Sequence, residues 1–261
     1  MAIIRCLAFF NLFTKPFNLH QQIKRFYDAP NIKLTYDSLM ETLPHHILVA
    51  DDHPLFRAAL VQALMDRLSN SSLTEAENWI AVEKALNEHT QIDLLLLDLC
   101  MPGRAGYSGL IYLRSHFPQI PVVIISGIED EAVINRTRML GIAAFIPKSA
   151  PLSQMITGIH EVLSGGTWFP ETAQNTLNTD REFVSLAQKI GTLTTHQHKV
   201  FQLIGEGLLN KQIAYELGLS LSTVKAHTTA ILKKLEMQRR TQVLAAMRHL
   251  SVETEGADGL E

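Results

Sequence analysis

Four short apolar runs in this chain each stop at polar residues, and that arrangement limits the fold more than any other feature. Ile47–Ala50 ends at Asp51 and Asp52, Leu94–Leu97 at Asp98, Val122–Ile125 at Ser126, and Ala143–Ile146 at Pro147 and Lys148. The runs are unbroken rather than alternating, which marks strands covered on both faces, as in a parallel sheet. In an open parallel sheet, ligands bind beyond the carboxyl ends of the strands. Three carboxylates, a hydroxyl and an ammonium are therefore expected to converge on one crevice, a set suited to handling a phosphoryl group.

Between the runs lie segments of helical periodicity. Strands are expected near 46–50, 73–76, 94–98, 122–126 and 143–147, with helices near 54–69, 79–89, 108–116, 129–140 and 152–163. Pro54 suits a first helical turn, Gly141 a helix end, and Pro102-Gly103 the loop after Asp98. The alternation predicts an α/β domain over 45–165, a doubly wound five-stranded parallel sheet with right-handed crossovers. Residues 166–190 read as a linker with a helix near 180–190, residues 191–253 as a small all-α domain, and 254–261 as an acidic tail.

The net charge of −3 hides an asymmetry. Residues 45–165 carry 8 Lys and Arg against 13 Asp and Glu, net −5, whereas residues 191–253 carry 8 against 4, net +4. That division suggests a cation site in the first half and nucleic-acid contact in the second. Two cysteines cannot make a disulfide framework, which points to a reducing compartment. No stretch approaches the roughly 20 apolar residues of a membrane span. Residues 1–44 carry none of these features. Their opening has the outline of a signal peptide, but Asn11 interrupts the apolar stretch, Lys15 and Pro16 flank it, and no small-residue cleavage site follows. The segment is expected to be a disordered extension or a start-site artefact, and a chain beginning at Met40 would hold every residue named below.

Asp51, Asp52 and Asp98 in one pocket would repel one another, so at neutral pH they either shift their pKa values up or recruit a cation. Carboxylates with open water positions suit Mg²⁺, which also bridges phosphate oxygens. Asp98 can attack a phosphoryl donor to give an acyl phosphate, with Lys148 and the Ser126 hydroxyl holding the transferred oxygens. On Asp51-Asp52, Asp98 to Gly103, Ser126-Gly127 and Phe145 to Lys148, residues 45–165 resemble the receiver domain of two-component response regulators. The resemblance implies that Asp98 takes its phosphoryl group from a sensor histidine kinase. It also implies Mg²⁺ bound by Asp51, Asp52, Asp98 and the backbone carbonyl of Cys100. Ser126 and Phe145 match the hydroxyl and aromatic positions that shift together on phosphorylation. Pro147 departs from the family's commoner apolar residue.

In the basic half, Thr194 and Gln197 have capping-box spacing, with Val200, Leu203 and Ile204 as the apolar face that follows. Asn210 is expected to cap a second helix, with Ile213, Ala214 and Leu217 inward. Gly218-Leu219-Ser220 turns into a third, with Val224, Ile231 and Leu235 inward and Lys225, Thr228 and Thr229 outward. Leu193-Thr194, Gly207, Asn210-Lys211, Leu217 to Ser220, Thr223 to Lys225, His227 and Arg240-Thr241 resemble the LuxR-type helix-turn-helix. By that resemblance, Lys225, Ala226 and Thr229 sit where bases are read, while Lys211, Thr223 and His227 approach phosphates. His196-Gln197 stands where the family has Arg-Glu, which keeps the cap and loses a charge.

The expected function is a cytoplasmic transcriptional regulator, not an enzyme, that binds double-stranded DNA as a homodimer and is switched by phosphorylation of Asp98. No membrane partner is expected. An aspartate-nucleophile phosphatase would need a second acid two residues after Asp98, where this chain has Cys100. A regulator that never takes up phosphate would not need Asp51, Asp52, Asp98 and Lys148 together.

Overall fold

The computed structural model describes residues 45–252, apart from 69, 89–90, 102–105 and 172–179. The expectations for residues 1–44, for the tail 254–261 and for Pro102-Gly103 lie outside the described residues. Five parallel strands, β1 (His46–Ala50), β2 (Ser72–Ala76), β3 (Leu94–Leu97), β4 (Val122–Ser126) and β5 (Ala144–Pro147), form one sheet in the order β2-β1-β3-β4-β5. Helices α1 (Pro54–Arg67), α2 (Trp79–Glu88), α3 (Tyr107–His116), α4 (Glu131–Met139) and α5 (Leu152–Leu163) complete the α/β half. The order reverses between β1 and β3, so a crevice opens between the ends of those two strands.

The absence of alternation has its expected cause: both faces of the sheet are covered. Ile47, Val49, Leu94, Leu96, Val123 and Ile125 pack with Leu60 and Leu64 of α1 and Met155 and Ile159 of α5. Leu48, Leu95, Leu97, Ile124 and Phe145 point the other way, into a core that includes Leu110 and Leu113 of α3 and Ile134 of α4. Proline is tolerated at the end of β5 because this is an edge strand, where a missing amide breaks no ladder.

The C-terminal half contains α6 (Arg181–Gly191), α7 (Thr195–Gly205), α8 (Asn210–Glu216), α9 (Leu221–Lys234) and α10 (Arg240–Leu250). Thr194 caps α7 as its sequence implies, its hydroxyl accepting from the Gln197 amide while Gln197 Oε1 accepts from the Thr194 amide. Asn210 does not cap α8. It is the first helical residue, and the Gln212 side chain caps the Leu209 amide instead, at 2.7 Å. The Asn210 side chain is engaged elsewhere, accepting from Arg240 at 3.2 Å. Thr228 does not face fully outward; it is half-buried and its hydroxyl donates back to the Val224 carbonyl.

The segment read as a linker is largely tied down where it is described. Trp168 forms a bridge with Ala144, its carbonyl accepting from the Phe145 amide, and its ring lies where a side chain on Gly158 of α5 would meet it at 3.2 Å. Helix α6 buries Phe183, Ala187 and Ile190 in the same apolar cluster as α3 and the C-terminal helices. An apolar stripe of that kind needs a partner, which is why residues 181–190 are packed rather than free.

Candidate functional site

The crevice holds the residues the strand ends placed there. Asp51 and Asp98 are buried at 2% and 3% exposure, and Asp52 is half-buried. The Asp98 amide donates to the Ala50 carbonyl at 2.8 Å, locking the residue beside the end of β1. Lys148 bridges the two strands: its Nζ donates to Asp98 Oδ2 at 2.8 Å and forms an ion pair with Asp51 Oδ2 at 2.8 Å. Pro147 leaves the ammonium in place. Burial disfavours the Lys148 charge, but the hydrogen bonds and negative charges of Asp51 and Asp98 outweigh it and raise the pKa above the ordinary lysine value. The ammonium therefore stays charged throughout the neutral range.

Cys100 donates its amide to Asp98 Oδ1 at 3.2 Å and lines the same crevice. Burial, then the charge of Asp98, pushes its thiol above the usual range, so it is not a thiolate nucleophile. Ser126 is fully buried beneath the crevice, its Oγ accepting from the Ile128 amide at 3.2 Å. Phe145 is also fully buried, paired in register with Ile124, two residues before Ser126.

The crevice opens into a cavity of about 800 Å³ whose walls come from both halves of the chain. Asp98, Lys148, Asp130 and Arg136 line one side; Arg248, His249, Ser251 and Val252, at the end of α10, line the other. The two halves meet on α3. Tyr107 stands edge-on to Phe183 of α6 at 5.0 Å, and the Arg136 guanidinium lies over both rings. Arg136 also donates twice to Asp180 Oδ2, at 2.8 and 3.2 Å, while Asp180 Oδ1 caps α6 by accepting from the Phe183 amide at 3.0 Å. That amide first, and Arg136 second, hold the Asp180 carboxyl below its ordinary value. Further along α3, Tyr112 meets the edge of the fully buried His198 of α7 at 5.1 Å, and Lys199 pairs with Glu83 at 3.3 Å. Gly106 has a φ of +68°, and a side chain there would strike the Leu250 carbonyl at 2.5 Å. Only glycine fits so close to the end of α10.

Helices α8 and α9 form a helix-turn-helix, the first closed by Gly218 at φ +63° and the second capped by Ser220, whose hydroxyl accepts from the Thr223 amide at 3.1 Å. Val224 and Ile231 are fully buried, and on the other face Lys225, Ala226 and Thr229 are exposed. Lys211 is exposed, Thr223 and His227 are half-buried, and the His227 ring stacks with that of His196 at 6.3 Å. The contact between the halves thus uses α6, α7 and α10 and leaves the outer face of α9 open. Sequence reasoning missed Arg136, Asp180, Tyr112 and His198. Only the Asp180 cap, three residues before an apolar stripe, had a local signal.

Residues 47–160 match the response regulator receiver domain, and residues 191–247 match the bacterial regulatory proteins of the luxR family. The glycerol metabolism activator of Pseudomonas putida is 39% identical over 77% of this chain and 93% of its own length. The virulence factors putative positive transcription regulator BvgA of Bordetella pertussis is 30% identical over 72% of this chain and 90% of its own. Among solved structures, the RcsB response regulator of Salmonella typhimurium aligns over 79% of this chain and 99% of its own at 20% identity, with a TM-score of 0.47.

Proposed function

The chain belongs to the two-component response regulators that join a receiver domain to a LuxR-type DNA-binding domain, and from that premise we propose that Asp98 is its phosphoacceptor and a sensor histidine kinase its donor. It is a phosphorylation-dependent DNA-binding transcription regulator. The observation that carries the assignment to Asp98 is its carboxylate, buried at the strand-order reversal with Lys148 Nζ at 2.8 Å and Asp51 and Asp52 beside it. An Asp98 oxygen attacks the phosphorus of the donor phosphohistidine. The P–N bond breaks, and the departing imidazole nitrogen keeps the electron pair. Lys148 and the Ser126 hydroxyl then hold the transferred oxygens.

The donor set fits a hard divalent cation. Ligand atoms of Asp51, Asp52 and Asp98 lie within 4.8 Å of one another, and Asp52 Oδ1 is buried with the His53 ring nitrogen 2.9 Å away. Asp51, Asp52, Asp98 and the Cys100 carbonyl are the residues that would hold Mg²⁺, which supplies charge neutralisation between the carboxylates and the incoming phosphoryl oxygens. Metal removal tests this directly. EDTA should abolish phosphoryl uptake from acetyl phosphate, and added Mg²⁺ should restore it; uptake indifferent to EDTA would contradict the reading.

The route to the second domain starts at Ser126. Drawn toward the phosphoryl group, it pulls residues 127–130, which lead directly into α4, and Phe145 turns into the space vacated. Helix α4 carries Arg136, and Arg136 holds Asp180 and the rings of Tyr107 and Phe183. Because Lys225 is exposed while the halves are docked, the switch acts by freeing α6, α7 and α10 so that two copies can pair, rather than by uncovering the reading face. Lys225, Ala226 and Thr229 would then face bases, and Lys211, Thr223 and His227 phosphates. Their position on or beside the open face of α9 supports this. The DNA-binding unit starts at α6 on this reading. No helix among the described residues is long and apolar enough to cross a membrane, and the cytoplasm suits a regulator that must meet DNA.

Asp180→Ala tests the coupling. It removes the α6 cap, which contributes about 1 kcal/mol, together with the partner of Arg136. The unphosphorylated variant should bind DNA several-fold more tightly than the unphosphorylated parent, measured by fluorescence anisotropy. Unchanged affinity would show that the clamp does not restrain the C-terminal domain.

A further inference from the structure

We infer that His196 is a further DNA-contacting residue: with His227 it forms a two-imidazole site for one backbone phosphate, so that DNA binding takes up protons and tightens as the pH falls. The inference rests on the reading of His227 as a phosphate contact.

The start of α7 is fixed against α9. Thr194 caps α7, and Lys234 of α9 donates to the Thr192 carbonyl at 2.7 Å and to Gln197 Oε1 at 2.8 Å. Those bonds hold the turn before α7 and its third residue, with His196 between them. The His196 ring lies nearly parallel to that of His227, at 11° with centroids 6.3 Å apart. His196 is exposed and His227 half-buried. Because His227 directly follows Lys225 and Ala226 of the open face of α9, the imidazole pair borders the surface that meets DNA.

The spacing and the charges suit a shared anion. Two rings 6.3 Å apart can each reach an oxygen of the same phosphate through charge-assisted bonds of about 2.8 Å. Two imidazolium ions so close repel each other, which disfavours charging both in the free protein; a phosphate between them removes that penalty. The charged groups around them are already engaged. Lys234 holds the start of α7, Lys199 of α7 pairs with Glu83 at 3.3 Å, and Glu236, just past α9, pairs with Lys189 at 2.7 Å. His198, two residues further along α7, meets Tyr112 of α3. Neither His196 nor His227 has an acidic partner among the described residues, so the anion they can take comes from outside the chain.

The sign follows from linkage. Imidazole ordinarily changes charge between about pH 5 and 8. A bound phosphate stabilises the imidazolium, so the complex keeps protons that the free protein gives up. Affinity present at low pH is therefore lost as the pH rises. His196 stands where the LuxR-type family has Arg, so this chain puts a conditional cation in place of a permanent one.

The test uses the phosphorylated full chain and a duplex that it selects, titrated by fluorescence anisotropy at about pH 6 and pH 8 over a range of salt. The parent should bind roughly fivefold or more tightly at the lower pH, the scale of an added phosphate contact. His196 is exposed, so His196→Gln should fold. At the lower pH it should lose most of that gain and show a salt slope shallower by about one per subunit, with affinity at the higher pH unchanged. His196→Arg should bind at the higher pH as the parent does at the lower. A His196→Gln protein with the parent's pH dependence and salt slope, or one weakened equally at both pH values, would overturn the contact, as would a parent indifferent to pH. His227→Gln with no loss at the lower pH would instead overturn the reading of His227, on which the pair depends.

Discussion

Replacing Asp98 by Asn should reduce phosphoryl uptake to background, a loss of roughly 10³-fold or more, the scale at which removal of a nucleophile is felt. The amide nearly preserves the volume of the carboxyl and keeps one oxygen, which can accept from Lys148 or from the Cys100 amide but not from both, since these donate to different oxygens of Asp98. What it lacks is the anionic oxygen that attacks phosphorus. Lys148 retains Asp51 at 2.8 Å, so no buried charge is stranded. Stability should hold or rise, because one of three crowded negative charges is gone. Thermal melting reports the fold, and acid-labile ³²P labelling from acetyl phosphate reports the chemistry. Label persisting on the variant would mean that another carboxylate, Asp52 first among them, accepts the group.

The sheet and the acidic crevice were legible because their signals are local. A strand buried on both faces must be apolar throughout, so Ile47–Ala50 and Leu94–Leu97 announce themselves, and the residue after each run has one place to go. Thr194 and Gln197 were readable for the same reason, since a cap is settled within four residues. The failures share a different cause. Asn210 has the composition of a cap, but Arg240, thirty positions away, takes its side chain. His198 on an apolar face gives no hint that it meets Tyr112 of another domain. Arg136 looks like a solvated helix residue until Asp180 and Phe183 are brought beside it. Tertiary contact decided each of these, and no window of sequence contains both partners.

The second large effect belongs to DNA binding. A single helix-turn-helix covers too little DNA for tight specific binding, and such modules pair on half-sites about one helical turn apart. Docking against α3 engages α6, α7 and α10 of one copy, and on the proposed switch release and pairing compete with it. Phosphorylation needs to stabilise the released state by only a few kcal/mol to change occupancy greatly. Lys225 is exposed at the outer face of α9 in the docked state. If Lys225 reads a base, Lys225→Ala should cost about 1–3 kcal/mol on the specific site and much less on random DNA. If it meets only phosphate, the loss should be equal on both, with a shallower dependence on salt.

One measurement bears on the whole account: anisotropy titration of a DNA fragment selected by the phosphorylated protein, against phosphorylated and unphosphorylated chain at two salt concentrations, with mass determined in parallel. Phosphorylation at Asp98 should tighten binding by an order of magnitude or more, convert monomer to dimer, and do neither in Asp98→Asn. Equal affinities and a monomeric mass in both states would contradict the switch and leave a constitutive DNA binder.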